Sequence, residues 1–104
     1  MARMIVIYRT PPDPEKFDQH YLEVHAPLAK KLPGLRKFEV SNGPISAPSG
    51  WQDVYLVATL HFDSLEDIQA AFASEGGRAC AADRRILAPR DEDVQMYLFD
   101  DREV

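Results

Sequence analysis

A chain of 104 residues, 45% of them apolar, has the length of one domain and enough hydrophobic surface for a modest core, so residues 1–104 are expected to fold as a single unit. A formal net charge of −5 opposes binding to phosphate backbones, and one cysteine excludes an intrachain disulfide; no run nears the ~20 apolar residues of a membrane span. The expectation is a cytoplasmic protein with neither nucleic acid nor membrane as a partner.

Residues 3 to 9 alternate weakly, with Met4, Val6 and Tyr8 on one side and Ile5 and Ile7 on the other, which predicts a strand apolar on both faces. Pro11-Pro12 ends it. Asp13 as N-cap, Pro14 at the first helical position and Glu15 in the first turn then open a helix. On a wheel of about 100° per residue, Phe17, Tyr21, Val24, Leu28 and Leu32 share one buried stripe and His25 sits at its edge. Pro27 lacks the donor for the carbonyl of Glu23, so a kink beside His25 is expected, and Pro33-Gly34 closes the arm. Lys30 and Lys31 fall in its last turn, where cations complement the helix dipole. With Arg36 and Lys37 they form a basic cluster that needs no nucleic acid to explain it.

Leu35 to Gly43 reads as a half-buried strand, and Asn42 to Gly50 as a long Pro-, Gly- and Ser-rich loop. Trp51 to Phe62 is the most strand-like run, with Val54, Leu56, Ala58, Leu60 and Phe62 on one face. Ser64 and Asp67 form a capping box before a helix carrying Leu65, Ile68, Ala71 and Phe72, which Gly76-Gly77 is expected to end. A shorter helix is predicted over Arg78 to Leu87, with Ala79, Ala82, Asp83 and Ile86 on one side, and a fourth strand over Asp93 to Asp100.

The order strand, helix, strand, strand, helix, strand predicts an α+β ferredoxin-like βαββαβ sandwich, a four-stranded antiparallel sheet with helices on one face. The second face would leave tyrosine, phenylalanine and aliphatic side chains bare, so a homodimer through the sheet face is expected.

Phe17 to Leu35, reading FDQHYLEVHAPLAKKLPGL after a strand that ends Tyr8-Arg9, resembles the EthD-like family of the dimeric α+β barrel superfamily. The second half agrees: Leu65 to Phe72, then Ala73-Ser74-Glu75-Gly76-Gly77 and Ala81-Ala82-Asp83, are similar to that family's second helix, its break and its Ala-rich turn. One departure is the run Arg84, Arg85, Ile86, Leu87, where the family often has an aromatic after the aspartate. The resemblance implies two sandwiches packed sheet to sheet, with a small pocket between sheet and helices in each protomer. The family takes its name from a gene in an ether-degradation cluster, and neighbouring families include lactone isomerases, cofactor-free oxygenases and haem-binding proteins.

His25 is the candidate catalytic residue, because an imidazole with an ordinary pKa of ~6.5 exchanges a proton near neutrality. Tyr8 and Tyr21 are candidates to bind substrate through their hydroxyls, Asp83 at the pocket mouth and Trp51 as a lid or wall. The structural alternative has His25 bonding a carbonyl freed by Pro27, Asp83 bonding backbone or Arg84, and Trp51 packing in the core or a dimer contact. His20 and His25 diverge by about 140° on a regular helix, unlike the i, i+4 pair of a zinc helix, and His61 has no second ligand two residues on, so no metal is expected. Cys80, among alanines, reads as packing. No glycine-rich phosphate loop, G-x-S-x-G elbow or haem-attachment motif is present, and no cofactor is expected. Three readings follow. One is a small cofactor-independent isomerase, lyase or oxygenase acting on a small apolar carbonyl or lactone, with His25 as acid/base. Another is a non-catalytic binding or accessory protein of a degradation pathway, and the third a structural or regulatory dimer whose pocket is vestigial.

Overall fold

Alternation along Ala2–Tyr8 (β1) sends Ala2, Met4, Val6 and Tyr8 into the core and leaves Ile5 and Ile7 half-buried on the other face. The computed structural model describes residues 1–104. β1 lies at the centre of the sheet, antiparallel to Leu56–Phe62 (β3) on one side and to Val94–Asp100 (β4) on the other, and Lys37–Val40 (β2) pairs with β3 to give the order β2-β3-β1-β4. Register stacks Val6 between Ala58 and Met96, and Met4 between Leu60 and Leu98, so one face is a continuous apolar floor. This is the expected ferredoxin-like sandwich. No helix is long and apolar enough to cross a membrane.

Two helical arms cover the β1 and β3 part of that floor and leave Met96 and Leu98 of β4 exposed. The first is Pro14–His20 (α1), a π turn over Tyr21–His25, and Ala26–Lys30 (α2). The second is Leu65–Ala73 (α3) followed by Glu75–Leu87 (α4). Asp13 caps α1 by accepting from the Lys16 N–H, and Ser64 caps α3 by accepting from the Asp67 N–H, as their motifs predict.

The arms depart from expectation in two places. Instead of a simple kink at Pro27, the turn before it widens: the Ala26 N–H bonds the carbonyl of Tyr21, five residues back, which absorbs the donor that proline lacks. One extra residue in the turn rotates everything after it. The stripe runs Phe17, Tyr21, His25, Ala29, Leu32, while Val24 is left 40% exposed. Gly76-Gly77 does not end α3. Ser74 breaks the chain and caps α4 by accepting from the Gly77 N–H, which puts both glycines in the first turn of α4. A Cβ on Gly77 would stand 2.1 Å from the carbonyl oxygen of Ala71, so this glycine lets α4 fold back against α3. The buried side of α4 is therefore Gly77, Cys80, Asp83 and Leu87; of the four residues grouped on one side from the sequence, Asp83 is buried and Ile86 faces water at 65% exposure.

β2 and β3 are shorter than their sequence patterns. The segment before β3 is held by other bonds: the Tyr55 N–H donates to the carbonyl of Tyr8, and Asp53 accepts from the Thr10 N–H. The outer face of the sheet is uncovered, with Tyr97 and Phe99 exposed beside Ile5, Ile7 and Val57.

Candidate active site

The π turn brings His20 and His25 to one side of the arm, because residues five apart stack when the helix closes i to i+5. Both imidazoles reach the same carboxylate from α4. His25 Nδ1 lies 2.8 Å from Asp83 Oδ2, and His20 Nε2 lies 2.8 Å from Asp83 Oδ1. The 140° divergence expected of a regular helix does not apply, and the two histidines converge on one aspartate. No set of three or more His, Cys, Asp or Glu is grouped to hold an ion.

An ionised carboxylate accepts hydrogen bonds and donates none, so His25 carries its proton on Nδ1 and keeps a lone pair on Nε2. Asp83 and His25 are both buried, whereas the His20 side chain is 30% exposed. Burial lowers the His25 pKa below 6.5 more strongly than Asp83 raises it, so the ring is neutral at pH 7. A sheltered neutral imidazole with a fixed tautomer is equipped to take a proton. The carbonyl partner that the structural reading gave His25 is replaced by a side chain.

His25 lines a cavity of about 130 Å³ between the sheet and the two arms. For comparison, an engineered apolar cavity of about 150 Å³ accommodates benzene. Twelve of its fifteen lining residues are apolar; the others are His25, Arg84 and Arg85. Tyr8 and Tyr21 both line it, and the Tyr21 ring sits 5.2 Å from the imidazole, centroid to centroid. Burial pushes both phenols far above their usual pKa of 10, so they remain hydrogen-bond donors at any physiological pH. Phe17 stacks on Tyr21 at 5.8 Å and meets Tyr8 edge-on at 5.4 Å, which fixes the two phenol rings.

Tyr8, Tyr21, His25 and Asp83 are thus brought together, with Asp83 behind His25 rather than at the cavity mouth. Trp51 is not among the lining residues; its ring packs under the Arg9 guanidinium, 3.9 Å from the centroid to Cζ. Cys80 lines the cavity, but burial raises its thiol to about 11 and keeps it protonated. His61 lies on the outer face of the sheet, 2.7 Å from Glu39 Oε1 and against Arg3. Sequence reasoning missed His20 and the two arginines. The signal for His20 was present: a histidine pair five apart, just ahead of a proline, is what a π turn makes adjacent.

A family model described as the EthD domain matches residues 9–89. The chain belongs to the EthD family. It is 35% identical over 83 residues to an uncharacterised 11.0 kDa protein of the thcB-thcC intergenic region of Rhodococcus erythropolis, covering 80% of each chain. An EthD family protein from Bacillus halodurans superposes with a TM-score of 0.86 at 30% identity, over 98% of this chain and 99% of that one. SnoaB, a cofactor-independent oxygenase from Streptomyces nogalater, superposes at 0.67 with 16% identity, over 99% and 94%, a likeness of fold alone. The EthD chain therefore has the fold of the dimeric α+β barrels.

Proposed function

We propose that this EthD protein is a cofactor-independent enzyme acting on a small apolar carbonyl or lactone compound, with His25 as the acid/base. One observation carries the reading: an imidazole sheltered from water and held at Nδ1 by Asp83 lines an apolar cavity the size of a single ring. In this reading Nε2 removes a proton from the carbon beside the carbonyl, and the resulting imidazolium is stabilised by Asp83 through Nδ1–H. The hydroxyl of Tyr21 or Tyr8 donates to the oxygen on which negative charge collects. His25 then returns the proton to a neighbouring atom of the same molecule or to a leaving group, an isomerase or lyase outcome. An oxygenase would use the same first step to make an electron-rich carbanion, as suits a fold shared with a cofactor-independent oxygenase.

The outer sheet face, with Tyr97 at 51% and Phe99 at 40% exposure, supports a homodimer paired sheet to sheet. A binding or accessory protein without turnover would use the same cavity, whose lining is mostly apolar. His25→Ala separates the two. An enzyme keeps ligand affinity and loses ~100-fold or more in turnover, within the usual span for a general base. A binder shows neither turnover in the parent nor a change beyond affinity in the variant.

A further inference from the structure

The protein carries a formal charge of −5, yet no aspartate or glutamate lines the cavity, and its only ionised lining residues are Arg84 and Arg85. The one carboxylate close behind the cavity, Asp83, already accepts from both His20 and His25. Arg84 is nearly enclosed, its side chain 11% exposed; its partners are the carbonyl of Ala88 at 3.4 Å and Asp91, which stands 95% exposed in water at 3.2 Å. An ion pair with so solvated a partner neutralises little of the charge felt inside. Arg85 makes no salt bridge at all. It and Met96 are the exposed members of the lining, so the cavity reaches the surface beside the free guanidinium.

An apolar chamber of about 130 Å³ whose lining includes two arginines, adjacent on α4, has the form of a receptor for an amphipathic anion. Guanidinium forks match a carboxylate in geometry as well as charge, whereas a neutral carbonyl takes less from them. We infer that the substrate of this site is a small carboxylic acid, its apolar body of about one ring lying against Met4, Val6 and Leu60 and its carboxylate held between Arg84 and Arg85. This rests on the reading of the same cavity as the reaction site and narrows the carbonyl or lactone to one that also bears an acid group. The arrangement separates roles: the arginines anchor a charge that exists throughout, and the tyrosines meet the charge that develops as His25 takes its proton.

The test uses a matched pair, phenylacetate and phenylacetamide, titrated into the full-length protein by calorimetry while the His25 ring signals are followed by NMR. Both fill the cavity equally, and they differ in charge. Phenylacetate is expected to bind about ten-fold more tightly, a preference that narrows in 0.5 M salt and falls to within about two-fold in Arg85→Gln with amide affinity unchanged. Arg85 is chosen because it is exposed and unpaired, so the fold does not depend on it; the same titration in Arg84→Gln is expected to lose the preference too. Equal binding of acid and amide with perturbed His25 signals overturns the carboxylate inference and leaves the proposed reaction site standing. A preference for the acid that survives in both arginine variants, or that leaves His25 unperturbed, also overturns it. Failure of both compounds to move the His25 signals overturns the inference and the site together.

Discussion

Replacing Asp83 by alanine removes one side chain and strands two. The bond to His25 is buried at both ends, with side-chain exposures of 8% and 7%, so losing it leaves an N–H with no water to replace its acceptor. Hydrogen bonds to charged groups contribute about 1.5–3 kcal/mol each in such places. His20 is 30% exposed, and water takes over its half of the arrangement at a cost of about 0.5 kcal/mol. The sum is about 2–3.5 kcal/mol, which for a domain near 100 residues lowers the melting temperature by roughly 10–20 °C. Calorimetry of Asp83→Ala beside Asp83→Asn measures it. The amide keeps the shape but offers one acceptor and one donor to two imidazole N–H groups, so one histidine must change tautomer, and an intermediate loss is expected. Nitrogen-15 spectra of the imidazoles should report that change. If Asp83→Ala melts within about 2 °C of the parent, Asp83 does not hold His25, and the fixed tautomer on which the proposed chemistry depends is gone.

The His25 pKa is lowered on folding, so between that value and 6.5 the unfolded chain binds the extra proton; stability is intact above pH 6.5 and falls with acidification by up to about 1.4 kcal/mol per unit. Urea melts between pH 7.5 and 5 should show this component in the parent and lack it in His25→Gln; parallel curves would refute it. Gly77→Ala drives a methyl into the Ala71 carbonyl and should cost about 3 kcal/mol or prevent folding, whereas Gly76→Ala, whose nearest neighbour is 3.9 Å away, should be neutral or gain up to about 1 kcal/mol in helix propensity. Matched thermal melts of the two variants decide it. Phe99→Glu places a charge on the bare face of the edge strand β4 and should shift the protein toward monomer in sedimentation at micromolar concentration; unchanged sedimentation would refute pairing through that face.

Much of this architecture is legible in the chain because local signals agree with it. Asp13 and Ser64 mark helix starts, period-two runs mark β1, β3 and β4, and the resemblance over Phe17 to Leu35 points to the family. What misled was the assumption of a constant helical period. Val24 was assigned to the core because a 3.6-residue turn puts it there; a turn one residue wider hands that place to His25 and turns His20 toward Asp83. Gly76-Gly77 misled in a different way. A glycine pair ordinarily stops a helix, but here the second glycine is needed for contact between two helices, and Ser74 does the stopping. Arg84 and Arg85 stood out only as departures from a family pattern, and nothing local said that α4 sets them in the cavity lining.

The widened turn has a consequence for how this sequence is free to vary. Leu22 and Glu23 are exposed and tolerate exchange by most residues, yet deleting either would let an ordinary ladder close and swing the upstream arm by about 100°. Phe17 and Tyr21 would leave their neighbours, and His20 would lose its hold on the shared aspartate. Along this stretch inheritance is constrained in the number of residues far more than in their kind.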